Sequence, residues 1–439
     1  MRSKNIFFAI ALFTGIIAGA QAPMSLDDVI RTSLENNYDI RLSRNDSTLA
    51  ALDYAFSQYA FYPRLNANGA IVYNTNASKQ VLADGTSKER SGIKSNTANA
   101  SLNLNWTLFD GMKMFITRRR LNELVEVGEL QIKNQVVTTV AEVMGVYYNI
   151  IQQQEQLKAT EDQMQLSAER LQLAQYKFDV GTGTKSDVLQ AQVDYNAQRS
   201  LQLLQQTNIV KLKEQLNNLL QLPLDRDFIL LDTAITVNTS LVLDSIQNGI
   251  VNTNPQLLLA QKNLDVADLA LQERKAERFP TLSFNSAYNF NRTDNKSVIN
   301  PFQPLFNQTH GLNYGFSATV PIFNGYITKR NIRAAQLDIE YQRLSYQRSL
   351  AEIHTNVQAA YRDYSSYLAI LRMEEENIKL VRENLFIAKE RYRLGVTTFL
   401  EMRTAEQSFT EAQRRLIQAR YNTKVAEIEL MRLRGDLVR

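Results

Sequence analysis

The chain has 439 residues, 21 % of them charged and 44 % hydrophobic, a balance that excludes a fully disordered protein. Lys and Arg number 49 against 45 Asp and Glu, and Arg2 and Lys4 supply two of the four excess charges, too few to argue for a nucleic-acid partner. With no cysteine and only His310 and His354, disulfides, thiolate zinc sites, iron–sulfur clusters, thiol catalysis and most histidine-built metal sites drop out, and no cofactor is expected.

Residues 1–20 read as a cleaved signal peptide: Arg2 and Lys4, an apolar stretch over 6–17, then Ala18-Gly19-Ala20. About a dozen apolar residues fall short of the roughly 20 that a spanning helix needs. No cysteine follows the cleavage site, so a lipid-anchored N-terminus is not expected. The mature chain has no later run of 18 apolar residues, which leaves an exported soluble protein or one that crosses a membrane as strands.

The chain is a tandem duplication. A shift of 214 residues lays Phe109, Gly111, Tyr147, Gly181, Ala191 and Leu216 on Phe323, Gly325, Tyr361, Gly395, Ala405 and Leu430. Upstream the shift is 217, laying Leu26, Asp27, Asn37, Pro63 and Leu65 on Leu243, Asp244, Asn254, Pro280 and Leu282. Halves this long mark a two-fold duplication, not a solenoid. The first repeat is expected over 21–221, a connecting segment over 222–241 and the second repeat over 242–439.

Each repeat carries two segments of period two, expected as strands over 63–74 and 96–109, then 280–291 and 311–323. Ala98, Ala100, Leu102, Leu104, Trp106 and Leu108 alternate with Asn99, Ser101, Asn103, Asn105 and Thr107. Leu312, Tyr314, Phe316, Ala318 and Val320 alternate with Asn313, Ser317 and Thr319. Only a strand sorts such a pattern by face. A half-buried soluble sheet would do so too, but uncharged polar faces opposite aromatic-rich apolar ones fit outer-membrane barrel strands better.

The remainder reads as helix. Residues 111–178 contain no proline and repeat apolar residues at three and four, as in Val136, Val140, Val143, Tyr147 and Ile151, which predicts a helix of roughly 100 Å. A turn at Val180-Gly181-Thr182-Gly183-Thr184 and a second helix to Leu222 complete a hairpin over 111–221. The second repeat predicts the same over 325–437, turning at Leu394-Gly395-Val396-Thr397-Thr398. Shorter helices are expected near 28–62 and 244–279, each ended by a proline. Four strands cannot close a membrane barrel, and open edges in lipid cost several kcal/mol per unpaired group, so the chain must pool strands with its own copies.

The doubled plan, the junctions Phe109-Asp110-Gly111 and Phe323-Asn324-Gly325, and the tip runs Lys177-Phe178-Asp179-Val180-Gly181 and Arg391-Tyr392-Arg393-Leu394-Gly395 resemble TolC-type outer membrane factors. The resemblance covers nearly the whole mature chain. It implies a mainly α protein with a membrane β-barrel: a homotrimer whose twelve pooled strands sit in outer-membrane lipid above a helical tunnel. It further implies a passive conduit serving a periplasmic adaptor (a membrane fusion protein) and an inner-membrane pump or secretion ATPase. Two other readings stay open: a non-conducting coiled-coil scaffold or adhesin, and a barrel hydrolase, which would need a Ser/His pair on the strands.

By the same resemblance, Val180, Gly181, Leu394 and Gly395 are adaptor-contact tips, and Asp187, Tyr392 and Glu401 form a periplasmic gate. Asp187 would bond Tyr392, and Glu401 would join a lumenal carboxylate ring. The sequence departs at Thr397, where the latch usually has an arginine, and at Thr404, which replaces a second ring acid. A plainer reading is that both acids favour a helix N-terminus. Asp27-Asp28 and Glu374-Glu375-Glu376 read as solvated helix surface, Arg118-Arg119-Arg120 as solvated charge or a lipid head-group contact, and Met112 and Met114 as packing. The stretch Gly181-Thr182-Gly183-Thr184 opens no βα unit, so it is not a phosphate loop, and no catalytic site is expected.

Overall fold

Asparagine, proline and glycine punctuate the chain into its elements. The computed structural model describes residues 23–299 and 302–437, and the expected signal peptide lies outside the described residues. A two-residue strand β1 (Pro23–Met24) precedes α1 (Leu26–Asn36), which opens on a capping box between Ser25 and Asp28. Asn37 then breaks the helical run, and its side-chain oxygen accepts the amides of Asp39 and Ile40 to start α2 (Tyr38–Phe56). After a 3-10 turn come β2 (Arg64–Val81), β3 (Ser87–Phe109), α3 (Lys113–Asp179) and α4 (Lys185–Leu219). The connecting segment contributes β4 (Ile229–Leu230). The second repeat runs α5 (Leu243–Gln247), α6 (Ile250–Thr253), α7 (Pro255–Ala276), β5 (Thr281–Asn295), β6 (Phe306–Thr319), α8 (Ile327–Arg393) and α9 (Phe399–Arg434).

The described residues fall into two compact units. The first, residues 43–133 and 255–352, contains a four-stranded antiparallel sheet in the order β2-β3-β5-β6. Its register sorts the side chains as the alternation predicts: Leu102 stands between Ala67 and Tyr288, Tyr288 beside Leu312, and Trp106 beside Phe284, itself paired with Phe316. One residue along, Asn103 stands between Asn66 and Ala287, with Asn313 next. Each strand therefore turns an apolar face one way and a face rich in Asn, Ser and Thr the other.

β2 and β3 run on past the expected segments to Val81 and back from Ser87, because a hydrogen-bonded ladder needs no alternation once it leaves the apolar band. β6 stops at Thr319, earlier than the expected 323, since Pro321 has no amide to donate. The strand-to-helix junction uses two successive left-handed residues in each repeat, Gly111 and Met112 (φ 72° and 68°), then Gly325 and Tyr326 (φ 64° and 61°). Gly111 is doubly constrained: a Cβ there would lie 2.6 Å from the Ala276 carbonyl oxygen and 2.7 Å from Phe279 Cβ. Beside it, Arg120–Glu273 at 2.9 Å and Lys262–Glu123 at 2.7 Å tie α3 to α7.

The second unit, residues 23–42, 134–254 and 353–437 of the described chain, is mainly helical and holds several apolar clusters, one of them centred on Tyr147. Val29, Val140, Val143, Tyr147, Ile150, Ile151, Leu216 and Phe228 are buried there, at the three-and-four spacing read from the sequence. β4 pairs in parallel with β1, placing Phe228 and Leu230 inward and Ile229 and Leu231 outward. Tyr147 donates its hydroxyl to Asp232 Oδ2 at 2.7 Å, anchoring the connecting segment to α3. The duplication also shows as one hydrogen bond made twice. Asn37 Nδ2 donates to the Leu219 carbonyl at 3.1 Å, and Asn254 Nδ2 donates to the Leu433 carbonyl at 2.7 Å. Each asparagine thus satisfies a terminal carbonyl of its own repeat's second hairpin helix.

Candidate functional site

The two hairpin turns are copies of one device. Each long helix ends in a Schellman motif. Thr182 N bonds Lys177 O at 2.9 Å and Gly181 N bonds Phe178 O at 3.0 Å; Val396 N bonds Arg391 O at 2.9 Å and Gly395 N bonds Tyr392 O at 3.1 Å. The pivot in each must be left-handed, and Gly181 and Gly395 have φ of 78° and 76°. Three residues on, Thr184 and Thr398 cap the returning helices, accepting from the amides of Asp187 and Glu401 at 3.2 Å each. Both acids therefore occupy the same helix position, where the helix dipole favours a carboxylate. Asp187 closes a full capping box onto Thr184 N, whereas Glu401 takes the hydroxyl of Thr397, the residue standing where the resemblance expects arginine.

Asp187, Tyr392 and Thr397 line one cleft of about 500 Å³ together with Lys177 and Phe399. Lys177 Nζ donates to the Tyr392 carbonyl at 3.1 Å and sits 3.9 Å from the centre of its ring, so the first turn grips the C-terminal end of α8. Tyr392 is 5 % exposed, and burial, then the Asp187 carboxylate, pushes its phenol up, with Arg170 opposing. Asp187 thus reaches Tyr392 as a charge, while the hydrogen bonds of its carboxylate and amide go to Thr184. Glu401 is exposed on the first turn of α9, outside the cleft lining. Val180, Leu394, Val396 and Leu400 project apolar side chains into solvent around the turns.

Directly behind the cleft lies a charge cluster. Arg170 of α3, its side chain 3 % exposed, contacts Glu406 of α9 at 2.5 Å and Asp194 of α4 at 2.7 Å. Arg403 binds the same Asp194 through two nitrogens at 2.9 and 3.1 Å. Two cations and two anions close the cluster without net charge. Burial pushes Glu406 up, against the pull of Arg170 and Lys389.

The outer membrane efflux protein family matches residues 29–221 and 248–436, one stretch in each repeat. The chain belongs to that family. It is an outer-membrane protein of export systems, and this efflux protein is similar along its length to others. The probable efflux pump outer membrane protein TtgC of Pseudomonas putida is 23 % identical over 433 residues, spanning 94 % of this chain and 83 % of that relative. The alkaline protease secretion protein AprF of Pseudomonas aeruginosa is 22 % identical over 431 residues, spanning 95 % and 88 %. The Campylobacter jejuni CmeC outer membrane channel has the same fold, with a TM-score of 0.78 at 16 % identity over 99 % of this chain and 94 % of that one. The family and its similar structures are channels, not enzymes. His310, the strand histidine on which a hydrolase would depend, pairs beside Phe290 on the apolar face of the efflux protein's sheet.

Sequence reasoning missed the Arg170 cluster because charges on long helices read as solvated. The signal was present in spacing: Arg170 precedes the buried Ala174 by four, Asp194 follows Ala191 by three, and Glu406 adjoins Ala405. Charges at core spacing are paired when buried.

Proposed function

We propose that this efflux protein works as an obligate homotrimer, a passive conduit that pools four strands per protomer into a twelve-stranded barrel and three pairs of helical hairpins into a tunnel. The observation that carries this reading is the open-edged sheet. β2 and β6 each leave one edge unpaired, while the rows through Leu102 and Trp106 are apolar and aromatic as lipid requires. A soluble half-buried sheet would cover that face, yet Leu312, Tyr314 and Phe316 are all more than three-fifths exposed in one protomer. Closure with two further copies pairs the edges and turns this apolar face outward, where lipid covers it.

The turns at Val180/Gly181 and Leu394/Gly395 are the docking points for a periplasmic adaptor, which links the conduit to an inner-membrane pump or secretion ATPase. Their exposed apolar side chains support this role. Asp187 and Tyr392 belong to the gate there, and Glu401 to the lumenal ring, one carboxylate per protomer. Reconstitution in planar bilayers tests the reading: discrete single-channel steps are expected, and a protein that binds lipid without conducting would favour a coiled-coil scaffold. Gly181→Trp with Gly395→Trp should abolish cross-linking to the adaptor, and retained cross-linking would move the docking points elsewhere.

A further inference from the structure

Cross-strand partners share a face, so the register fixes which side chains accompany the polar rows. Arg64 pairs with Asn105, Asn105 with Asn285 and Asn285 with Gly315. The guanidinium of Arg64 therefore stands on the face of Asn103 and Asn289, not on the face of Leu104. Among the described residues, Arg64 is the one charged residue of this polar face, from the Thr107 row out to Asn74. The remaining charges of the sheet lie on the other face, as Lys94, Arg292 and Asp294 do, or beyond the bulge at Asn76, as Lys79, Glu89 and Arg90 do.

The row around Arg64 offers it no carboxylate. Asn105 Nδ2 donates to Asn285 Oδ1 at 2.7 Å, and Asn285 Nδ2 donates to Ser317 Oγ at 2.9 Å, so these amides spend their polar groups on each other. A wall of carboxamides and hydroxyls hydrogen-bonds a solute without charge preference. A lone guanidinium set in it does have one: its planar fork matches carboxylate, sulfate and phosphate.

We propose that Arg64 is an anion-binding position of the barrel lumen. Resting on the trimer proposed above, three copies form one ring where the sheet adjoins the turn after α2, and the ligand is an anionic group on a solute in transit. The ring makes this end of the barrel prefer anions, whatever the turns at the far ends of the hairpins prefer.

The test uses the full chain in planar bilayers at low salt, with inorganic tripolyphosphate as probe. The wild type should show reversible block. Arg64→Gln should raise the half-blocking concentration about tenfold or more, and Arg64→Lys, which keeps the charge but not the fork, should fall between the two. Arg64→Glu should also move the reversal potential in a potassium chloride gradient toward the potassium potential. An unchanged block in Arg64→Gln overturns the proposal while leaving the barrel standing. Asn103→Cys and Leu104→Cys separate the two failures. A charged, impermeant thiol reagent should alter conductance only at Asn103→Cys, and reaction at Leu104→Cys alone, or a non-conducting wild type, overturns the barrel reading and this proposal together.

Discussion

Arg170 and Glu406 are 236 residues apart in the chain and 2.5 Å apart in the fold, a buried ion pair that joins the first long helix to the last. Desolvation makes such a pair a poor source of net stability, but losing one partner strands the other charge in the core. Arg170→Met should therefore destabilise the helical unit by about 3–5 kcal/mol. Adding Glu406→Gln should recover part of that loss, because the abandoned carboxylate is gone. Urea unfolding of both variants, read by circular dichroism, checks the order; additive losses would show that the pair does not couple.

The two strand-to-helix glycines should differ in cost. Gly111 and Gly325 both have positive φ, so alanine strains either one by about 1–2 kcal/mol. Only at Gly111 does a Cβ also collide with backbone, at 2.6 Å from Ala276 O, whereas nothing lies within 4 Å at Gly325. Gly111→Ala should lower the yield of folded, membrane-inserted protein well below that of Gly325→Ala. Equal yields would mean that the junction relaxes freely.

An alkaline transition should begin near pH 10. Burial first, then the carboxylates of Asp232 and Glu427, push Tyr148 up from 10.0 to about 12, and the neighbouring Tyr147 is raised also. A raised tyrosine stabilises the fold fully below its unfolded value, and that stability is lost as pH rises from 10 toward 12. Stability measured from pH 8 to 12 should fall across this window, and Tyr148→Phe should flatten the fall. A slope unchanged in Tyr148→Phe would assign the transition to other groups.

Asp187 and Glu401 sit at matching helix positions yet in different company, the first beside Tyr392 in the cleft and the second exposed. Tyr392→Phe with Asp187→Ala should raise single-channel conductance by loosening the turns. Glu401→Ala should reduce cation preference, with a modest effect because the proposed ring would carry a single acid per protomer, Thr404 standing at the second position. Unchanged conductance and selectivity would leave both acids as helix caps and nothing more.

What the sequence made legible follows from where physics demands a pattern. Lipid on one side and water on the other force strict alternation, so the strand rows around Leu104 and Phe316 could be read directly. Past Asn76 no lipid imposes that demand, and the outer half of the β2–β3 hairpin was invisible. Leu312 to Val320 alternate, but alternation does not show where the ladder stops: β6 ends at Thr319, because Pro321 has no amide to donate. Gly181 and Gly395 announced their turns because only glycine takes that φ cheaply. Asn37 and Asn254 were seen as a repeated pair but not as helix breaks, since their meaning depends on carbonyls 182 and 179 residues away. The Arg170 cluster was hidden for the same reason: a charge looks solvated until its partners from other helices are known.

Pairing between the free edges of different protomers tests the central claim most directly. The chain has no cysteine, so single positions on β2 and β6 can be oxidised without background. Asn68→Cys, on the polar face, combined in turn with Thr309→Cys, Gly311→Cys and Asn313→Cys on the same face samples the register between neighbouring copies. Closed three-fold pooling predicts disulfide-linked dimers and trimers in outer membranes, with nothing larger, for at least one of these pairs. A chain that stays monomeric across the scan, or a ladder continuing beyond three, would contradict a closed trimeric barrel.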